Sequence, residues 1–277
     1  MSSNADHEHE IENIWRMYLM TGDVPSGVKQ LWFESKYVRP LAKFLPHSPR
    51  CRICHYPFAG VGGFISRAFL KLEPSKLNPQ ICNVCERFAD KHHGGAEVEI
   101  AMVFADVRGS TKMAETVRPV EFSKTINRFY RAATDVIFKH DGWVEKLLGD
   151  EVVGFFVPGF TGGRHAQFAV DAGKQILRVT GHGDPNGPWV PVGVGVHTGL
   201  AYVGAVNAEG GGAEISILGD AVNTAARIAS MSAAGEILIS DATVRSTGME
   251  QNGMEPRELE LKGKSTPVKT WAWKLKK

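Results

Sequence analysis

Residues 97–111 read Glu-Val-Glu-Ile-Ala-Met-Val-Phe-Ala-Asp-Val-Arg-Gly-Ser-Thr. The first ten predict a β-strand that ends on Asp106, and Val-Arg-Gly-Ser-Thr predicts a tight turn into helix. A carboxylate is thereby placed at a strand's end. Pro119 opens a predicted long helix over 119–140, as a first-turn proline does. Gly142 introduces two strands, Trp143–Leu148 and Glu151–Val157, joined by a turn at Gly149-Asp150. Further on, the pattern predicts a helix near 163–180, a Pro and Gly loop over 181–191, and a strand pair, 192–197 and 201–206, turning at Thr198-Gly199. A Gly-rich tip at 210–212, a helix from near Gly219 and three short closing strands follow. The order β-α-β-β-α-β is the ferredoxin-like arrangement of an α+β domain, here with additional C-terminal strands.

Upstream, Ile11, Ile14, Trp15, Tyr18 and Leu19 recur at helical spacing over 5–20, so the N-terminal segment is an amphipathic helix that needs a surface to pack on. A second apolar and basic stretch covers about 28–45. Cys51-x-x-Cys54 and Cys82-x-x-Cys85 then stand 27 residues apart, around a segment rich in Pro and Gly. Two such knuckles suit a tetrahedral site, and structural zinc supplies folding energy that so small a core lacks. An iron–sulfur cluster is the main rival, because four thiolates suit either. A redox switch, four unliganded cysteines, and His55 as a substitute ligand are the other readings. The organisation is a helical segment at 1–47, a four-cysteine module at 48–90, a short linker ending at Gly94-Gly95, and one domain over 96–277.

A chain of 277 residues with 43% hydrophobic content buries one good-sized core and leaves a small second module. With 32 basic against 30 acidic residues, the net charge of +2 gives no electrostatic reason for a nucleic-acid partner or an anionic membrane surface. No apolar run is long enough to span a bilayer, and the acidic start from Asp6 to Glu12 is the opposite of a signal peptide. The expected location is the cytoplasm, where paired cysteines favour metal over disulfides.

Two carboxylates beside small residues, at Asp106 and Asp150, are what a two-metal phosphoryl-transfer site needs. Either alone also fits a turn aspartate. Five segments in order decide between the readings: Phe104-Ala-Asp106-Val-Arg-Gly-Ser-Thr111, Glu145-Lys146-Leu-Leu-Gly149-Asp150, Gly195-Val-His197-Thr-Gly199, Ser216-Ile-Leu-Gly219-Asp220-Ala-Val-Asn223-Thr-Ala-Ala-Arg227, and Leu261-Lys262-Gly263-Lys264. Together they resemble the class III adenylate and guanylate cyclase catalytic domain, over about residues 96–277.

The resemblance implies an enzyme that makes cyclic AMP and pyrophosphate from ATP. It implies that Asp106 and Asp150, with the carbonyl of Val107, hold two magnesium or manganese ions per active site. Asn223 and Arg227 would orient the ribose and meet the charge on the α-phosphate, and Lys262 would contact the terminal phosphates. Lys146 and Ser216 fill the two positions that read the purine. A lysine donates to the unprotonated N1 of adenine, whereas guanine's protonated N1 favours an acceptor, so Lys146 argues for ATP; Ser216 permits adenine without excluding guanine. In the resembled family the metal aspartates come from one chain and the other groups from its partner, which implies a homodimer with shared active sites. Where some relatives carry arginine after His-Thr-Gly, this chain has Leu200. The alternatives are a guanylate cyclase and a non-catalytic cyclase-like sensor or scaffold. A diguanylate cyclase, from the local likeness of Leu148-Gly-Asp-Glu-Val152 to its hairpin, leaves Lys146, Asn223 and Arg227 unexplained.

Overall fold

The apolar run that ends near Asp106 is one strand of 14 residues. A computed structural model describes residues 2–23, 45, 49–51, 53–76, 79, 81–207 and 213–275. The Gly-rich tip at 210–212, and all but the last residue of the stretch expected at 28–45, lie outside the described residues. The elements begin with α1 (Ser2–Thr21), α2 (Gly60–Leu70), α3 (Asn83–Lys91), β1 (Gly94–Val107), α4 (Ser110–Thr116) and α5 (Pro119–Lys139). The hairpin β2 (Trp143–Leu148) and β3 (Glu151–Phe156) follows, then α6 (Pro158–Thr161), α7 (His165–Val179), β4 (Val192–Asn207) and β5 (Ala213–Leu218). The chain closes through α8 (Asp220–Ser230), β6 (Glu236–Ser240), α9 (Asp241–Thr247), β7 (Glu255–Leu259) and β8 (Val268–Lys274).

The strands form a sheet in the order β2-β3-β1-β4-β6-β8-β7, with β5 paired to β4 off that path. The first four are the expected ferredoxin-like order, and β6, β8 and β7 extend it. Of the described residues, one compact unit takes those up to Val98, Val157–Gly163 and Ala201–Leu218. The other takes Glu99–Phe156, Arg164–Leu200 and Gly219 onward.

In the second unit, Ala101, Val103, Ala105 and Val107 of β1 join Phe129 and Ile137 of α5 and Ala169 and Ile176 of α7 in the main core. On β6, Ile237 and Ile239 join that core, while Leu238 joins a second cluster with Ile228 of α8. All five residues of β6 are buried, as a central strand covered on both faces must be.

One expectation is corrected here. The strand pair predicted around Thr198-Gly199 is the single strand β4, 16 residues long. Its glycines are packing positions, not turns. A Cβ at Gly195 would stand 2.4 Å from the backbone nitrogen of Ala229, and one at Gly199 would stand 2.9 Å from the Cβ of Ala221, so α8 lies flush on the strand. The strand β5 and the helix α2 were not foreseen.

In the first unit, α1 buries Trp15, Tyr18 and Leu19. Trp15 packs on Phe88 of α3 with ring centres 5.1 Å apart and donates its indole N–H to the His92 carbonyl at 2.9 Å. Tyr18 meets Phe160 of α6 edge-on at 5.2 Å. The amphipathic helix thus has the surface its pattern requires. Among the described residues, no helix is long and apolar enough to cross a membrane.

Candidate active site

Because side chains alternate along a strand, β1 residues that fill the core beneath α5 and α7 leave Met102, Phe104 and Asp106 on the opposite face, the one that carries α8. On β3, Val152 and Phe156 fill the same core, so Glu151 shares the face of Asp106, and the strand register sets the two directly opposite. A bulge between Val144 and Lys146 on β2, followed by core-packed Leu147, turns Lys146 to that face as well. Asp150 follows Gly149, whose φ of 61° makes the turn. The Asp150 carbonyl accepts the Val107 N–H at 3.1 Å, docking the turn on the end of β1, and the Tyr130 hydroxyl donates to the Gly149 carbonyl at 2.7 Å.

The three carboxylates crowd one another. Burial, with the charge of Asp150 added and that of Arg108 opposing, raises the Asp106 carboxyl to about 6. Burial, then the charges of Asp106 and Asp150, raises Glu151 to about 7. Arg108 pairs with the Asp106 carboxylate and donates through Nη1 to the Ser230 carbonyl at 3.0 Å, at the C-terminal end of α8. A set of hard oxygen donors short of positive charge fits magnesium or manganese.

Asn223 and Arg227 lie one turn apart on the less buried face of α8, between buried Ala221, Thr224, Ala225 and Ile228. The Arg227 guanidinium packs over Gly263, with Nη1 3.6 Å from where a Cβ would stand. This brings Arg227 to the Lys262-Gly263-Lys264 turn, where Lys262 is exposed and Lys264 pairs with Asp220. The same turn, with Thr266 and Pro267, lines a cavity of about 460 Å³. His197, by contrast, is a packing group. Burial lowers its pKa to about 4, and its neutral ring bonds the Ser240 hydroxyl at 2.8 Å.

Residues 95–274 match the model of the adenylate and guanylate cyclase catalytic domain family. The chain belongs to this cyclase family. An adenylate cyclase of Anabaena cylindrica is 27% identical over 178 residues, which cover 61% of this chain and 35% of that protein. The chain therefore spans about a third of that curated relative. The solved guanylyl cyclase Cya2 superposes with a TM-score of 0.57 at 30% identity, covering 65% of this chain and 93% of that one. The adenylyl cyclase CyaB from P. aeruginosa does so with a TM-score of 0.55 at 26% identity, over 64% and 93%.

In the cyclase domain, Asp106, Val107 and Asp150 come together as one group, and Asn223, Arg227 and the Lys262 turn as another. Lys146 is half-exposed with its amine 3.0 Å from the buried Glu145 carboxylate. Ser216 is buried on β5. The motifs did not mark Glu151 and Arg108. The signal was present in strand parity, which sets residues 106 and 151 on one face once the β1–β3 register is known.

The four cysteines precede the cyclase domain and are all buried. Their ligand atoms lie within 4.8 Å of one another, with Sγ–Sγ distances of 3.7 Å for Cys51–Cys85, 3.7 Å for Cys54–Cys82 and 3.4 Å for Cys82–Cys85. His55, at φ 62°, is not part of the group. The Cys51 sulfur accepts the Cys82 N–H at 3.3 Å, and the Cys82 sulfur accepts the Cys85 N–H at 3.4 Å. Burial pushes the Cys54 and Cys85 thiols up, while at Cys51 burial is opposed by hydrogen bonds from the other three, which lower it.

Proposed function

We propose that the chain is an adenylate cyclase that acts as a homodimer in the cytoplasm. The observation that carries this reading is the meeting of Asp106, Asp150 and Glu151 at one strand end, with Asn223 and Arg227 ready on α8 of the same fold. Asp106 and Asp150, with the Val107 carbonyl, would hold two magnesium or manganese ions. Bound there, such ions act as Lewis acids toward the ribose 3′-oxygen and the triphosphate.

The chain's own groups do the rest. Lys146 donates to adenine N1 and Ser216 meets the exocyclic amine, which fixes the purine. Reaching the purine requires the Lys146 amine to leave the buried Glu145 carboxylate, a separation that the contact with adenine N1 must offset. Asn223 holds the ribose so that the 3′-oxygen lies in line with the α-phosphorus. That oxygen gives its proton to water and bonds to phosphorus as the bond to the bridging oxygen breaks and pyrophosphate leaves. Arg227 stabilises the charge that develops on the α-phosphate, and Lys262 the departing phosphates. The catalytic domain spans 96–277, and the module at 48–90 holds one structural zinc. A tetrahedron with Zn–S bonds of about 2.3 Å has sulfur–sulfur edges of about 3.8 Å. The observed spacings fit that single ion, whereas an iron–sulfur cluster gives its thiolates to separate irons and spreads them further.

Complementation tests the shared site. Asp106→Ala and Arg227→Ala lose different halves, so each is inert toward ATP alone, while a reassorted mixture regains about a quarter of wild-type turnover through heterodimers with one intact site. No regain from two inert but folded variants contradicts the shared site. The guanylate reading is supported by the likeness to guanylyl cyclases, Cya2 and a retinal guanylyl cyclase among them, and turnover of GTP in place of ATP would establish it.

A further inference from the structure

The cysteine module and the strand that bears Ser216 belong to one compact unit although more than a hundred residues separate them in sequence. The link between them is short. Cys82 is the N-cap of α3, its sulfur accepting the Cys85 N–H, so the second knuckle and the first turn of α3 are one piece of structure. α3 packs on β5 and buries Val84, Phe88 and Ala89, with Trp15 and Tyr18 of α1 closing over Phe88. β5 is held within the sheet by β4 through the pairs Tyr202↔Leu218 to Asn207↔Ala213, with Ser216 opposite Gly204.

Neither partner is self-sufficient. α3 has nine residues, fewer than an isolated helix needs to persist in water. β5 has six and pairs with one strand among the described residues, and a two-stranded ribbon is marginal without a packed face. What fixes the start of α3 therefore also fixes the backing of β5. We infer that the metal held by Cys51, Cys54, Cys82 and Cys85 positions Ser216: it pins the first turn of α3, α3 backs β5, and β5 presents the serine. The module is then a positioning element of the nucleotide site as well as a fold staple. This inference rests on the zinc and base-reading assignments proposed above.

Hydrogen exchange on the full chain tests it. Zinc is first counted per chain by elemental analysis, then removed with a thiol-directed mercurial and a chelator, and finally restored. Removal is expected to speed amide exchange by about tenfold or more in 83–91 and in 213–218, to leave 99–107 and 151–156 unchanged, and to reverse when zinc returns. In parallel, the KM for ATP should rise and the preference for ATP over GTP should narrow, with kcat moving less. Faster exchange in 83–91 with 213–218 unchanged overturns the inference, as does loss of protection throughout the chain. A protein that carries no metal as purified yet protects both segments overturns the zinc assignment itself, so the two failures are distinct.

Discussion

The two clusters of metal-ligand chemistry differ in what they leave open. At Cys51, Cys54, Cys82 and Cys85 four thiols point at one another, every sulfur is buried, and backbone N–H groups complete the shell. At Asp106, Asp150 and Glu151 the donors sit at a strand end, half-buried, with Arg108 as the counter-charge. A closed tetrahedral set contributes folding energy, whereas a half-buried set of repelling carboxylates keeps room for substrate oxygens. The comparison sets a closed centre against an open one within a single chain, and the carboxylates can be disturbed without the cysteines.

The sharpest way to break the comparison is to remove one carboxylate. Asp106→Ala or Asp150→Ala should lower cyclase turnover by about 10³-fold or more while leaving the zinc content at wild-type level, measured by product formation and elemental analysis on the same samples. A parallel loss of zinc would mean that the cysteine centre depends on the carboxylates. Arg227→Ala should cost about 10²- to 10³-fold in kcat, as for a lost transition-state donor, with melting temperature little changed.

Acidity gives a smaller effect of definite sign. The raised Asp106 carboxyl holds its proton up to about pH 6. Protons therefore compete with manganese below that pH, and the half-saturating manganese concentration should rise by about tenfold per pH unit below 6. A flat dependence between pH 7 and 5 would contradict a carboxylate site. Arg108 is one of the groups that lower Asp106, so Arg108→Gln should move this dependence to higher pH, by about one unit at most. Movement to lower pH would show that Arg108 does not govern Asp106.

Much of this was readable from sequence where local chemistry and fold agree. The run into Asp106, the Gly149-Asp150 turn and the helix opened by Pro119 each carry their own signal, and each lies where it was expected. The misreading at Thr198-Gly199 came from a residue with two uses: glycine there admits Ala221 of α8 instead of turning the chain. β5 was missed because its alternation, Ala-Glu-Ile-Ser-Ile, is short and wedged between a glycine run and a helix start, and α2 because glycines at 60, 62 and 63 mask an otherwise helical segment. Glu151 and Arg108 needed the tertiary register. Nothing local says that 106 and 151 face each other, or that Arg108 reaches Ser230 across the fold.

The central claim is tested most directly by incubating the purified full chain with manganese and ATP, and separately with GTP, and identifying the products by mass. The account predicts 3′,5′-cyclic AMP and pyrophosphate from ATP, well ahead of any product from GTP. Cyclic GMP as the sole product, or no cyclic nucleotide from either substrate, would contradict it.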